Sequence, residues 1–299
     1  MPSWSDYAHR PRDCRAAELR HGLRHLWAPL LGRSGHTVFD VGPHRNHGAL
    51  HNCDPETAWQ IGPRGTVLVL DGSDDRIDCA QAADFQWNEP FSVAVWVYVG
   101  SLSSDYRALV CKAPISSPWN GWNLLLFGTR PDFSLTAYPP LASVTLIGKW
   151  LAAGAWYSIV ATSDGSGQPA GLRLYANGED WAFSASGGIA GGSMRNAAPC
   201  QIAARDGPNW PLPCQVSAAA VWDRVLSPRE AQLLAEGPQP LLQRVARKRY
   251  CLRLPTPAPY EVVAGEVFLP GAVAGQSYSS GAAVGQLNVP GAIAGVVHA

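Results

Sequence analysis

The apolar positions of this chain come in short runs that match β-strands. Phe91–Val99 (FSVAVWVYV) is the clearest run, because β-branched or aromatic residues occupy nearly every position. So few of its positions are polar that we expect both faces to be covered, as in a strand at the centre of a sandwich. Shorter runs of the same kind predict further strands at Thr66–Leu70, Ala108–Lys112, Trp122–Phe127, Phe133–Ala137, Val144–Ile147, Trp156–Thr162, Leu172–Ala176 and Ala218–Trp222.

Turn and helix signals punctuate these strands. The pair Asn177-Gly178 is typical of a tight hairpin, since both central residues of such a turn need a positive φ. Ser227–Glu236 predicts the one clear helix, with Ser227 as N-cap, Pro228 in the first turn and Glu230 completing a capping box. The pattern as a whole therefore predicts an all-β protein with one short C-terminal helix.

The segment 258–299 has a different pattern, a repeat with a period of ten residues. Its landmark residues are Gly265, Gly275, Gly285 and Gly295, with Pro270 and Pro290 at turn positions. One unit of such a repeat cannot bury its apolar face alone. We therefore predict that these residues assemble copies of the chain into a homo-oligomer, with a trimer favoured. A dimer, strands added to a neighbouring protein, and a plain Gly/Ala linker are the alternatives.

Composition narrows the function classes. The 299 residues carry no net charge, and 15 % of them are charged against about a quarter in typical domains. No global field therefore draws nucleic acid or an anionic membrane surface. No run of 18 apolar residues occurs, so we predict no membrane span.

The cysteines and the N-terminal residues bear on the compartment. The seven cysteines are scattered without zinc-type spacing, which favours buried free thiols, with one or two disulfides as the alternative. Residues 1–22 are polar and lack the apolar centre of a secretory signal. We therefore expect synthesis in a reducing cytoplasm.

Several segments resemble, in order, the LamG-like domain of the concanavalin A-like superfamily, in its laminin-G type 3 variant. The segments that carry the resemblance are Gly22–Trp27, Phe39–Leu50, Val69–Ile77, Phe91–Trp96, Leu151–Trp156, Leu174–Gly178 and Val221–Glu230. The resemblance implies an antiparallel β-sandwich jelly roll. It divides the chain into a lead-in (1–22), a jelly-roll domain (23–240), a basic linker (241–257) and the repeat tail (258–299).

The arrangement of these parts is similar to that of structural proteins of tailed bacteriophages. This similarity implies a virion decoration, fibre or tail protein, made in the host cytoplasm, whose partners are itself and other virion proteins. A carbohydrate-binding or adhesion module on a bacterial surface is the alternative, and a degenerate glycoside hydrolase is a third.

Loop aromatics are the candidate binding residues. A jelly roll can hold glycans by stacking aromatic rings on sugar faces while neighbouring polar groups bond hydroxyls. The candidate contacts to cell-surface glycans or partners are Trp119, Trp122, Asn123, Asn209 and Trp210. For the two loop residues Trp119 and Trp210, contact between subunits is the rival interpretation.

An acidic turn is the candidate metal site. Asp71, Asp74 and Asp75 place three carboxylates within five residues, and calcium prefers oxygen ligands of this kind. The alternative is a turn in which Asp71 and Asp74 bond their own backbone amides. Calcium is therefore the one cofactor that the sequence proposes.

No catalytic constellation is found in the sequence. Glycosidases need two carboxylates that flank the scissile bond, and several hydrolases of the superfamily present them as Glu-x-Asp-x(x)-Glu on one strand. That run does not occur here, nor does a Gly-x-Ser-x-Gly elbow. We therefore expect a protein that is not an enzyme.

Overall fold

The computed structural model describes residues 18–63, 65–100 and 104–242. They form two antiparallel sheets packed as a sandwich, with few and short helices, which confirms the predicted fold class. The predicted linker from residue 243 onward and the repeat tail, with the six assembly residues named above, lie outside the described residues. Their role and the domain boundaries stay predictions.

Sheet I has eight strands. They are β1 (Leu23–Trp27), β4 (Trp59–Gly62), β5 (Gly65–Asp71), β7 (Phe91–Val99), β12 (Ala155–Ser163), β13 (Leu172–Ala176), β14 (Glu179–Asp180) and β17 (Pro213–Trp222). Their order is β14-β13-β12-β7-β17-β5-β4, and β1 also pairs with β17. The central strand β7 is buried along almost its whole length, as its apolar run predicts.

Sheet II has nine strands. They are β2 (Thr37–Val38), β3 (Gly48–His51), β6 (Arg76–Asp78), β8 (Tyr106–Lys112), β9 (Gly121–Phe127), β10 (Arg130–Ala137), β11 (Ala142–Gly148), β15 (Ala182–Gly187) and β16 (Gln201–Ile202). Their order is β15-β11-β10-β9-β8-β16-β6-β3-β2.

The inner faces of the two sheets bury a large apolar core. Its centre is an aromatic cluster in which the ring of Phe91 lies 4.7 Å from Phe85, 5.7 Å from Trp122 and 5.9 Å from Phe133. Such ring pairs stabilise beyond the area they bury. The five described cysteines are buried free thiols, which confirms that interpretation for this part of the chain.

The outer face of sheet I is covered by a second apolar cluster. Helix α1 (Pro228–Ala235) supplies part of the cover, and the short helix α2 (Gln239–Leu242) follows it. The predicted capping box is confirmed, because the Ser227 hydroxyl accepts from the Glu230 amide and the Glu230 carboxylate accepts from the Ser227 amide. Within the described ranges, no helix is long and apolar enough to cross a membrane.

Candidate functional site

The outer face of sheet II is polar and partly open to solvent. On β9 and β10 the side chains alternate, so that Leu124 and Phe133 enter the core while Asn123 and Ser134 face outward. Asn123 lies opposite Ser134, and Leu125 lies opposite Asp132. This alternation is the ordinary two-residue period of a strand, and it places a row of polar groups on one surface.

Aromatic side chains from three segments turn this face into a groove. The groove encloses about 360 Å³ and is flanked by Tyr106, Trp119 and Trp210. Trp119 is 44 % exposed, and its indole N–H is already bonded to the carbonyl of Ile115 at 3.0 Å. Its ring therefore presents an apolar face without an unsatisfied donor.

Trp210 is held more firmly than Trp119. It packs against the small apolar cluster that includes Leu125, and its ring stacks on Tyr106 with 5.4 Å between centroids. The guanidinium of Arg205 lies 4.6 Å from the Trp210 ring and donates to the carbonyls of Ala113 and Pro114. Burial lowers the pKa of Arg205. These contacts use Arg205 as a support that orients Trp210.

Asn123 is the most unusual polar group in the groove. Its side chain lines the groove but is only 4 % exposed, and its Oδ1 atom has no hydrogen-bond partner among the described residues. A buried acceptor that is left unpaired costs about 1–3 kcal/mol. A donor to this atom would come from an ordered water or from a ligand, because no described side chain or backbone group supplies one.

The charges at one end of the groove neutralise each other. Arg130 donates to both carboxylate oxygens of Asp132, from Nε and from a terminal nitrogen, each at 3.1 Å. Burial raises the pKa of Asp132 above its ordinary value, and the bonds from Arg130 counteract only part of that rise. The groove therefore offers hydroxyl, amide and aromatic groups with little net charge.

The structure brings together three of the five predicted contact residues. Trp119, Asn123 and Trp210 line the same groove. Asn209 instead shapes the loop that carries Trp210, because its side-chain amide donates to the Asp206 carbonyl at 2.8 Å.

Trp122 is a correction. Its side chain is fully buried between the sheets, and its indole N–H donates to the Ala83 carbonyl at 2.9 Å. It therefore has no surface to offer a glycan. Trp122, Leu124 and Leu126 are alternate apolar residues of one strand, and this two-residue period already indicates that Trp122 faces the core.

Sequence reasoning also missed Tyr106 and the outward residues of β10. Asp132, Ser134 and Thr136 all line the groove. Their polar alternation with Phe133 and Leu135 could have revealed them.

The predicted metal-ligating residues do lie together. Oxygen atoms of Asp71, Asp74 and Asp75 are all within 4.8 Å of one another. The Asp71 carboxylate accepts from the Ser73 amide and that of Asp75 from the Asp71 amide, and burial raises the pKa of Asp75. Such contacts also belong to a self-bonded turn. Calcium binding stays a prediction, which a melting curve with and without a chelator tests.

A larger polar cavity, of about 650 Å³, includes Arg24 and Arg195 in its wall. Arg24 is bonded to Asp223 at 2.8 Å and Arg195 to Glu89 at 3.2 Å. Its charged groups therefore pair with one another, and no tryptophan lines it in the part of the chain that the structure describes. The groove on sheet II is the better candidate for a ligand with apolar and hydroxyl faces.

Solved structures with a similar fold include toxin binding domains and sialidases. The binding domain of Paraclostridial Mosquitocidal Protein 1 has 15 % identity and a TM-score of 0.54, over 73 % of this chain and 52 % of its own. The binding domain of botulinum neurotoxin serotype G has 12 % identity and a TM-score of 0.51, over 71 % of this chain and 50 % of its own. Trypanosoma rangeli sialidase, in a complex with sialic acid, has 14 % identity and a TM-score of 0.52, over 75 % of this chain and 34 % of its own.

At these identities the likeness concerns the fold alone, and the chain spans about half or less of each of these structures. No curated protein matches the chain in sequence. Residues 71–232, more than half of the chain, match the profile of the laminin-G type 3 family. The chain therefore belongs to that family, within the concanavalin A-like lectin/glucanases superfamily.

Proposed function

We propose that this domain is a carbohydrate-binding module whose ligand lies in the groove of sheet II. The observation that carries the proposal is that Asn123, whose Oδ1 atom is a buried acceptor without a partner among the described residues, lines the same groove as the rings of Trp119 and Trp210. A sugar offers hydroxyl donors for this acceptor and apolar C–H faces for the aromatic rings.

The groove supplies the two kinds of contact that a sugar needs. The rings of Trp119 and Tyr106 offer large rigid apolar surfaces at a low cost in conformational entropy. Asn123 accepts from a hydroxyl, and the hydroxyls of Ser134 and Thr136 both donate and accept. Two toxin binding domains share the fold, which is consistent with a binding role.

Calorimetric titration with a glycan panel tests the proposal. Trp119→Ala and Asn123→Ala should each lower the affinity about tenfold, the loss expected for one stacking or hydrogen-bonding contact. Phe183→Ala is the matched control, because Phe183 is 75 % exposed and lines a separate surface site with Leu172 and Arg173 rather than the groove. Unchanged affinity in both groove variants would contradict the proposal.

We further propose that the domain binds without hydrolysing its ligand. Glycosidases need two carboxylates around the bond they break, whereas Asp132 is the one carboxylate that lines this groove in the described part of the chain, and it is paired with Arg130. Incubation with polysaccharides should release no reducing ends. Release that a single Asp or Glu substitution abolishes would overturn this point.

The order of the chain's parts supports a virion as the place where the domain is displayed, with assembly through the repeat tail. A bacterial cell surface is the alternative. Mass spectrometry of purified particles should detect the chain if it is a virion component, and light scattering on the full chain should report a trimer. Detection in a cell-envelope fraction alone would favour the alternative.

A further inference from the structure

Trp150 is an exposed aromatic residue on a fixed backbone. Its side chain is 58 % exposed. The residues on either side of it are both anchored, since the Lys149 amide donates to the Trp181 carbonyl at 2.9 Å and the Leu151 amide donates to the Thr129 carbonyl at 3.1 Å. The backbone on either side of Trp150 is therefore fixed, while more than half of the Trp150 side chain faces solvent.

Arg130 connects Trp150 to the groove. Its guanidinium lies 5.5 Å from the Trp150 ring centroid and 5.3 Å from that of Phe127. The bidentate bond to Asp132, a residue that lines the groove, fixes the guanidinium plane. Arg130 and Trp150 therefore form a platform whose orientation is set before any ligand arrives.

The same row continues across the strands. Phe127 pairs directly with both Tyr106 and Arg130, and the rings of Phe127 and Tyr106 are 5.1 Å apart. Directly opposed residues of an antiparallel pair share a face, so Tyr106, Phe127 and Arg130 lie on the same face. Trp150, whose ring contacts Arg130, extends the aromatic lining that begins at Tyr106.

The length of this surface sets the size of the occupant. Trp119 precedes the first residue of β9, and Phe127 is the last. At about 3.4 Å per residue, β9 spans on the order of 20 Å. That length exceeds a disaccharide, so a ligand in contact with both ends is a longer chain.

The charged residues near this surface indicate whether its ligand is charged or neutral. Arg130 is neutralised by Asp132, and Arg205 is engaged with two backbone carbonyls and the Trp210 ring. Arg130 and Arg205 are thus occupied, and an anionic sugar would also approach the Asp132 carboxylate.

We propose, resting on the carbohydrate-binding function above, that Trp150 and Arg130 form a second subsite and that the ligand is a linear neutral oligosaccharide longer than a disaccharide. The chain runs along β9 and β10 from Trp119 to Trp150. Asn123 and Ser134 bond its hydroxyls in the middle, and Trp150 stacks on its far end.

The test is a series of titrations by chain length. Neutral linear oligosaccharides of glucose, xylose, mannose, galactose and N-acetylglucosamine, from disaccharide to hexasaccharide, are titrated into the full chain. We expect affinity to rise with length for the sugar that binds. Trp150→Ala should lower hexasaccharide affinity about tenfold and leave disaccharide affinity within about twofold, whereas Trp150→Phe should keep most of the affinity.

The outcomes separate this inference from the function on which it rests. If no member of any series binds the full chain, the carbohydrate-binding proposal and this inference both fail. If a sugar binds but length has no effect, or Trp150→Ala acts equally at every length, only the second subsite is refuted. Tighter binding of a hexauronate or a sialylated oligosaccharide than of the neutral hexasaccharide would overturn the neutral ligand. Phe183→Ala and the melting temperature of each variant serve as controls.

Discussion

The two sheets treat their outer faces in opposite ways. On the outer face of sheet I, Trp96 and Trp222 are buried, and their indole N–H groups donate to the carbonyls of Leu234 and Leu19 in the covering segments at 2.8 and 2.7 Å, whereas Trp156 is partly buried. On sheet II, Trp119 and Trp150 stay about half exposed. The same residue type is thus part of the core where a segment covers it and stays exposed where the face is open.

The buried carboxylates of Glu230, on the covered side of sheet I, and Asp132, in the groove of sheet II, have pKa values shifted in opposite directions. Burial acts to raise the pKa of Glu230, but hydrogen bonds from Arg224 and Ser227 outweigh it and hold the pKa below its ordinary value. Asp132 has the opposite balance, and its pKa stays raised. The covered side is therefore arranged for stability, whereas the groove side keeps a carboxylate at a cost to the folded state.

The largest expected effect is on the free energy of unfolding, and it distinguishes the buried tryptophans of sheet I from the exposed ones of sheet II. Trp222→Ala should lower the free energy of unfolding by about 3–5 kcal/mol, since it empties a fully buried site. Trp150→Ala should change it by less than about 0.5 kcal/mol. Urea denaturation of both variants measures the contrast, and equal losses would contradict the division into a covered and an open face.

A smaller effect concerns Glu230. Glu230→Gln should lower the free energy of unfolding at neutral pH by about 1–3 kcal/mol, because it weakens the bonds to Arg224 and the capping box. A lowered pKa means that the carboxylate contributes fully above its ordinary value of about 4.3 and loses that contribution as pH falls through the lowered pKa. Denaturation curves at several pH values should show the difference between variant and wild type shrinking in acid. A difference independent of pH would count against this account.

Asn123 should show a trade between binding and stability. Asn123→Ala removes the unpaired acceptor, and this gain offsets the weaker packing of the shorter side chain. The free energy of unfolding should therefore stay within about 1 kcal/mol of wild type or rise, while glycan affinity should fall. Urea denaturation and calorimetric titration measure the two effects. A loss of several kcal/mol in stability would indicate that Asn123 serves the fold rather than a ligand.

The smallest effect belongs to Asp132. Because its pKa is raised in the folded state, its charged form destabilises the fold, and stability is gained as pH falls through that raised pKa. Asp132→Asn should therefore raise the free energy of unfolding at neutral pH by a few tenths, about 0.5 kcal/mol at most. The gain should vanish in acid, where wild type is protonated as well. A lower free energy of unfolding of Asp132→Asn at neutral pH would show that the charged Asp132 stabilises the fold, which contradicts this prediction.

Local patterns were enough for the long elements. The apolar run Phe91–Val99 and the Leu172–Ala176 run match β7 and β13 residue for residue. The helix and its cap followed from Ser227, Pro228 and Glu230, because capping depends on residues within one turn. Short strands such as β2 and β16 were not predicted, because two residues show no periodicity and their pairing partners are distant in the chain.

By itself, then, the sequence determined the β-sandwich, its longest strands, its capped helix and the residue types suited to a glycan. The tertiary structure alone decided which of them meet. Trp119 and Trp122 are three residues apart, yet one flanks the groove and the other fills the core. Trp210 reaches Tyr106 from about a hundred positions away because the segment after β16, which pairs with β8, returns to this face. Binding sites of this kind depend on such long-range pairing, and local propensity carries no information about it.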